Sequence, residues 1–445
     1  MKVTNSYKVK LVNVNASLDA TINVYRDAIT YIIEIVNNEW KNIENLTNKD
    51  KNNYIEKLIH KTKKNPNPIY ADFDKLFYKL PSYLRRSAIQ DAIGIVSSYK
   101  SNLANYEAER YEAISNGKKF KKKSPNLQLK HFKCPALYKG NMYNRLSRNE
   151  AEIKVFKNND WVWQTVKLRE QDVKYIEKRC KEDKEFSPIL VKSGRKYYLQ
   201  FSYEKDVKLN DTKVKDQIIV AVDLGLNTSA VCSAIKSDGT VIGRKFIDQP
   251  IEKDRQKHLL NRLKLKQKQT GKGFKMPRVW NRINNLNNHI VNDTANKIIS
   301  FALECNADVI VFEYLNFTGK KPKHIAMKMQ MWAKREIQEK VKHKAHSNGI
   351  RYRRVNARNT SKLAYDGSGK VIRDKKNAKL CTFATGKQYN CDLNASYNIG
   401  ARYFIKEAQE NLSEKKWSQA VAKVPELGRR TQCTLSTLIS LHQVM

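Results

Sequence analysis

Acidic residues are scarce in this 445-residue chain: 44 Asp and Glu stand against 85 Lys and Arg, a formal net charge of +41. An excess of that size goes beyond what solubility asks for and predicts a polyanionic partner, nucleic acid ahead of a membrane surface. Long apolar runs are also missing, and the amino terminus is polar after Met1-Lys2. Neither a membrane-spanning helix nor a signal peptide is therefore expected, and no membrane partner. Cysteine is sparse and odd in number, at positions 134, 180, 232, 305, 381, 391 and 433. Seven scattered thiols give no disulfide framework and fit a reducing cytoplasm, the expected location. No internal repeat stands out. The length allows two to four domains, each with its own core.

What the chain does have is three carboxylates at the ends of apolar elements. Ile218-Ile219-Val220-Ala221-Val222 runs straight into Asp223 and then Leu224-Gly225-Leu226-Asn227. This reads as a buried strand closing in a turn. An Asx turn that stops the strand is the plain alternative. Val309-Ile310-Val311-Phe312 followed by Glu313 repeats the pattern, with Asp308 ahead of the strand as a residue that Asn should replace without loss of activity. Asp392 opens an apolar-periodic stretch that reaches Phe404, which sets it in the first turn of a helix. Two strand ends and a helix start can converge on one edge of a sheet. Three carboxylates without histidine suit a hard cation, Mg²⁺ or Mn²⁺. Two such ions can activate a water and stabilise the leaving oxygen of a phosphodiester. Acids packed this way need cations, because like charges repel. Gly225 and Asn227 keep bulk away where phosphate or metal would approach the backbone.

The rest of the chain arranges itself around these acids. Residues 3–14 read as a strand. Leu18–Ile43 and Leu84–Tyr111 have helical apolar spacing, through Ile22, Tyr25, Ile29, Ile32, Ile33 and Val36 in the first and Ile89, Ile93, Val96, Leu103 and Tyr106 in the second. A basic loop with Lys118, Lys119, Lys121, Lys122 and Lys123 follows. Alternating runs at 130–134, 151–156, 161–168 and 197–203 read as antiparallel strands of a sheet or small barrel. Trp161, Trp163, Tyr197 and Tyr203 within them are core residues or, less often in such runs, base-stacking ones. A polar linker, 207–217, precedes strands at 218–223, 230–235 and 241–247. A basic stretch then carries Arg262, Lys264, Lys266, Lys268, Lys272, Lys275 and Arg278 and is broken by Gly271 and Gly273. A helix at 282–303, the Glu313 strand, a basic loop with Lys320 and Lys321, a helix at 327–346 and a strand with Arg353 and Arg354 lead to the Asp392 helix. His343 and His346 lack partner ligands nearby in sequence and read as helix-surface residues. The order of elements, taken with the acids, is that of a ribonuclease-H-like α/β domain, a mixed sheet with helices on both sides. The tail, 406–445, is helix-like to Val424 and then packs back or frays.

The motifs Val222-Asp223-Leu224-Gly225-Leu226-Asn227, Val311-Phe312-Glu313-Tyr314-Leu315 and Asp392-Leu393-Asn394-Ala395-Ser396-Tyr397-Asn398-Ile399 resemble the split RuvC motifs of the TnpB family. These are transposon-encoded proteins related to the compact type V CRISPR nucleases, and acid separations of 90 and 79 residues suit them. The resemblance implies a RuvC nuclease domain at 216–358 and 390–408, a wedge-like β-barrel at 1–15 and 126–206, and an inserted helical recognition lobe at 16–125. It further implies a target-binding insert at 359–389 and a C-terminal tail at 409–445. It implies a DNA endonuclease guided by a structured RNA, acting on double-stranded DNA with a displaced single strand. Asp223, Glu313 and Asp392 would be catalytic metal ligands, and the lysines and arginines named above, with Lys375 and Lys376, would contact nucleic acid. A homodimer is compatible with it. One departure matters. The family places a four-cysteine zinc ribbon where this chain has Ala364, Gly367, Cys381 and Ala384, so only one ligand position is kept. A tetrahedral zinc needs four donors, and a metal-free remnant is expected, keeping the basic hairpin 370–379. Two other functions stay open at this point: a guided DNA-binding protein that cuts weakly or not at all, and a strand-transfer transposase.

Overall fold

The structure is a computed structural model, and it describes residues 1–12, 16–127, 133–225, 228–271, 276–314, 325–374, 377 and 379–445, with the backbone alone over 325–332. The chain forms two compact units, one of residues 2–205 and the other of 206–445 together with Met1.

In the first unit β1 (Lys2–Lys10) leads into α1 (Ala16–Asn38), α2 (Trp40–Ile43), α3 (Asn48–Ile59), α4 (Asp72–Leu76) and α5 (Ser82–Ser115). β2 (Tyr143–Arg145), β3 (Glu150–Lys157), β4 (Asp160–Lys167), α6 (Glu170–Cys180), β5 (Lys184–Glu185), β6 (Ile189–Ser193) and β7 (Lys196–Asp206) follow. α1 buries Leu18, Ile22, Tyr25, Ile29, Ile32, Ile33 and Val36, the stripe read from the sequence. α5 buries its face only as far as Val96, so the stretch through Leu103 and Tyr106 extends the helix without joining the core. Between them the Tyr25 hydroxyl donates to Asp91 at 2.8 Å. The strands make two antiparallel sheets, β1-β7-β5 with β6 also on β7, and β2-β3-β4. The expected strand at 130–134 lies mostly outside the described residues. Helix α6 was not expected; Val173, Ile176 and Cys180 are its only buried residues. Trp161, Tyr197 and Tyr203 are buried, which corrects the stacking option for those three. Trp163 is exposed, with the Lys154 ammonium 5.9 Å from its ring centroid.

The second unit holds β8 (Ile218–Asp223), β9 (Ala230–Lys236), β10 (Val241–Ile247), α7 (Pro250–Thr270), α8 (Pro277–Glu304), β11 (Val309–Tyr314), α9 (Ile325–Ser347) and β12 (Arg351–Asn356). β13 (Ile372–Arg373), β14 (Leu380–Thr382), β15 (Gln388–Asn390), α10 (Cys391–Asn411), α11 (Glu414–Lys423) and α12 (Leu435–Val444) complete it. Five strands form one sheet in the order β10-β9-β8-β11-β12. β8, β9 and β10 run antiparallel, while β11 is parallel to both β8 and β12. β8 is apolar up to its last residue, Asp223, because both faces of the sheet are covered. Ile219 and Ala221 pack with α10 and the C-terminal segment, and Val220 and Val222 pack with α8 and α9. Gly400 lets α10 lie close on the sheet: a Cβ there would stand 2.6 Å from Ile235 Cδ1 and 3.2 Å from Ala221 Cβ. The tail does pack back. Val424, Leu427, Cys433, Leu435, Leu438 and Leu441 are buried in the α10 core.

Candidate active site

The sheet delivers two of the acids and the helix the third. Asp223 is the last residue of β8, and Glu313 is the penultimate residue of the neighbouring parallel strand β11. Parallel neighbours end at the same edge, so both carboxylates reach one side. At the start of α10 the Asn390 side chain caps the helix, accepting from the backbone N–H of Asp392 at 3.0 Å and of Leu393 at 2.9 Å. That cap fixes Asp392 in the first turn. All three acids line a single cleft of about 320 Å³, together with Gly225, Lys334, Thr360, Arg373 and Lys379.

Burial raises the pKa of each acid above its ordinary range. For Asp223 the charges of Glu313 and Asp392 raise it further, against the pull of Lys334 and Arg373. For Glu313 the Thr360 hydroxyl, Lys334 and Arg402 oppose the rise. For Asp392 the opposing cations are Arg373, Lys334 and Lys379. The acids thus feel one another, and three cations on the rim answer them. Gly225 is required because the chain closes in: a Cβ there would stand 2.4 Å from the Thr228 carbonyl oxygen and 3.3 Å from Asp392 Oδ2. Asn227 lies outside the described residues. The donor set, all carboxylate oxygen, fits Mg²⁺ or Mn²⁺ by chemistry. Among the described residues, however, no three His, Cys, Asp or Glu side chains are already arranged about a single ion position. The acids share a cleft and do not form a closed cage.

Asp308 is more than a neutral neighbour. It is buried, its Oδ1 accepts from the Thr212 hydroxyl at 2.5 Å and its Oδ2 from the Ile218 N–H at 3.0 Å. Asp308→Asn would disturb the entry to β8, so the exposed Asp254 is the better control residue.

Of the basic residues chosen from the sequence in the second unit, the described ones are not among those that line the cleft. Lys118, Lys119, Lys121, Lys122 and Lys123 follow α5 and are exposed, Lys122 pairing with Glu109 at 2.8 Å. Arg262, Lys264, Lys266 and Lys268 are exposed on α7, and Arg278 is exposed in the first turn of α8. Arg353 and Arg354 are exposed on β12, the Arg354 guanidinium 5.0 Å from the Tyr314 ring centroid. Lys272, Lys275, Lys320, Lys321, Lys375 and Lys376 lie outside the described residues. The cations that do line the cleft, Lys334, Arg373 and Lys379, were not singled out. Arg373 and Lys379 belong to the basic hairpin 370–379, which was legible as a run but not residue by residue.

Where the zinc ribbon would sit, β13, β14 and β15 form a small antiparallel sheet. Ala364, Cys381, Phe383 and Cys391 are buried together there, with Tyr365, Val371 and Tyr389 packed around them. The Tyr365 ring lies 5.5 Å from Phe383, 5.1 Å from Tyr389 and 5.2 Å from Tyr397. Such ring pairs each add about 0.5–1.5 kcal/mol beyond the area they bury. Gly367, at φ +81°, lies against the Ser436 hydroxyl, and Ala384 is exposed. His343 and His346 lie near the end of α9, and burial pushes the His346 imidazole below its usual value.

Residues 335–399 match the model of a family described as Cas12f1-like, TNB domain, and residues 4–157 match that of the Aq_aa04 family. The TnpB-like protein aq_aa05 of Aquifex aeolicus (strain VF5) is 29% identical over 233 residues, covering 48% of this chain and 76% of that protein. An uncharacterized protein of the same organism, aq_aa04, is 32% identical over 107 residues, which span 21% of this chain and 59% of that one. Among solved structures, the mini-RNA-guided endonuclease CRISPR-Cas_phi3 matches with a TM-score of 0.51 at 11% identity, covering 89% of this chain and 92% of that one, a likeness of fold. With the acid motifs now on adjacent element ends, these matches identify the chain as a relative of the TnpB family and, through it, of the compact Cas12 effectors.

Proposed function

We infer that the chain is an RNA-guided, Mg²⁺-dependent DNA endonuclease with one RuvC-like site. The observation that carries this reading is the meeting of Asp223, Glu313 and Asp392 in one cleft, at the ends of β8 and β11 and the start of α10. The strand order β10-β9-β8-β11-β12, three antiparallel strands followed by two parallel ones, supports a ribonuclease-H-like fold. Asp223, Glu313 and Asp392 would hold Mg²⁺ or Mn²⁺, which when bound supply water activation and charge stabilisation at the leaving oxygen. The protein's own part is positioning and charge balance. Lys334, Arg373 and Lys379 place positive charge at the mouth of the same cleft, where a phosphodiester would enter. The net charge of +41 supports a long polyanion as partner. The RNA-guided activity in the name of the CRISPR-Cas_phi3 endonuclease and the kinship with TnpB extend this to a guide RNA and a DNA target.

Purification followed by sequencing of the bound nucleic acid tests the guide. A discrete RNA that survives moderate salt is expected, and it should direct Mg²⁺-dependent cleavage of a matching plasmid. A random host RNA mixture displaced by salt would remove the guide from the reading. A discrete RNA with target binding but no cleavage would favour the guided binder, and joined DNA products the transposase.

The aromatic cluster around Ala364 and Cys381 supports a metal-free hairpin at 359–389. Elemental analysis of the purified protein is expected to find well under one zinc per chain. One tightly held zinc would send the search for ligands back to His343, His346, Cys381 and Cys391.

A further inference from the structure

Glutamate on a strand end is a loose ligand, because its carboxylate hangs on one more rotatable bond than that of aspartate. Glu313 is not left loose. Its Oε1 accepts a hydrogen bond from the Thr360 hydroxyl, and its backbone carbonyl accepts from Gln338 Nε2 at 3.0 Å. Thr360 is 2% exposed. Its hydroxyl has a single proton and two acceptors in reach, Glu313 Oε1 and the Ala357 carbonyl at 3.0 Å. An ionised carboxylate is the stronger acceptor and takes that proton. With Oε1 engaged, Oε2 is left for the cleft.

Thr360 is itself gripped from α10. Asn394, Asn398 and Arg402 fall four residues apart on one face of that helix and are all buried. Asn398 Nδ2 donates to the carbonyls of Thr360 and Leu363, both at 2.9 Å. Asn394 donates to the Leu363 carbonyl at 2.8 Å and accepts from the Tyr365 N–H at 2.7 Å. Arg402 Nη1 donates to the carbonyls of Asn356 at 2.9 Å and Arg358 at 2.6 Å. The helix that carries Asp392 in its first turn therefore fixes the turn that fixes Glu313, and ties two acids on separate elements to one frame.

We propose that Thr360 is a positioning residue of the carboxylate site, setting the Glu313 side chain for metal binding from a turn clamped by Asn394, Asn398 and Arg402. The proposal rests on the metal-site reading above. Loss of such an orienting partner costs a metal ligand about tenfold to a hundredfold in affinity. Thr360→Val keeps the shape and removes the hydroxyl; Thr360→Ser keeps the hydroxyl. Two quantities are measured for each purified complex: the Mg²⁺ concentration for half-maximal cleavage, and the rise in melting temperature as Mg²⁺ is added in the absence of target. Thr360→Val is expected to need at least tenfold more Mg²⁺ in both, with the rate at saturating Mg²⁺ much less affected, and Thr360→Ser to behave as wild type. Should Thr360→Val melt early in EDTA, Thr360→Ala, which removes the hydroxyl without filling its space, replaces it in the same pair of measurements. Equal Mg²⁺ dependence in wild type and both hydroxyl-free variants would overturn the proposal while leaving the site reading intact. A wild type that neither cleaves nor gains stability from Mg²⁺ would overturn both.

Discussion

Asp223→Ala is expected to lower cleavage of a guide-matched plasmid by at least about a thousandfold, since a loss near 4 kcal/mol of transition-state stabilisation is typical of such a group. The carboxylate sits at the end of a strand whose middle residues, Ile219–Val222, are buried, so the substitution removes charge and a metal ligand without opening the core. Guide RNA binding should be unchanged. Glu313→Ala and Asp392→Ala should have comparable effects, and a double variant should lose little more than either alone, because the three act as a unit. Asp254→Asn, on exposed α7, should cut as wild type does. Asp223→Ala carries a second signature. Burial, with Glu313 and Asp392 nearby, pushes Asp223 up to about 8. A folded-state value raised above the unfolded one makes the metal-free protein lose stability as pH climbs from about 4 toward 8. In EDTA, Asp223→Ala should therefore melt above wild type at pH 7 to 8, with the gain vanishing toward pH 4. Added Mg²⁺ should raise the melting temperature of wild type and not that of the variant. Wild-type cutting by Asp223→Ala would remove the site; a wild type as inactive as the variant would leave a binding protein.

The three acids were legible because each ends or begins a run of apolar residues that local pattern reveals. Ile218–Val222 and Val309–Phe312 are short, continuous and, but for Ala221 and Phe312, β-branched, the signature of strands covered on both faces. What supports the acids was not legible, because it comes from far along the chain. Thr360 lies 47 residues from Glu313, and nothing local marks its hydroxyl as different from that of any other threonine. Lys334, Arg373 and Lys379 sit on a helix and a hairpin whose meeting with the cleft depends on topology. In a chain with 85 basic residues, charge alone selects none of them. Tyr365, Phe383, Tyr389 and Tyr397 likewise form a cluster only once hairpin and helix are packed. Helix α6 was missed because three buried residues in eleven give a weak period between two strands. Whether the tail packs back or frays stays open in the sequence because its partner surface, on α10, has no sequence mark. Leu435, Leu438 and Leu441 already showed the helical spacing that α12 uses.

That tail brings the second large effect. Arg402→Met is expected to destabilise the unit of residues 206–445 by about 3–5 kcal/mol, because four backbone carbonyls lose a charged hydrogen-bond donor. Arg402 is 5% exposed and, besides its two bonds to Asn356 and Arg358, donates Nε to the Cys433 carbonyl at 3.2 Å and Nη2 to the Thr431 carbonyl at 3.0 Å. Four backbone carbonyls from two separate segments thus share one guanidinium, whose fork of donors suits several acceptors at once. Methionine fills much of the volume and offers no donor, so each carbonyl faces a desolvation cost of about 1–3 kcal/mol where water cannot reach it. A cleft of about 160 Å³ lies beside Arg402, lined also by Arg354, Lys406 and Arg430, and admits some water, which keeps the total near the lower bound of that sum. For a unit of this size the loss corresponds to roughly 6–20 °C in melting temperature. Arg402→Lys, with three donors on a shorter reach, should lose about half as much. Calorimetry on the guide-free protein reads the effect as a downward shift of the melting transition. A shift of less than about 1 °C would mean that the four carbonyls find water as readily as they find Arg402, and that the C-terminal segment is held by Leu435, Leu438 and Leu441 alone.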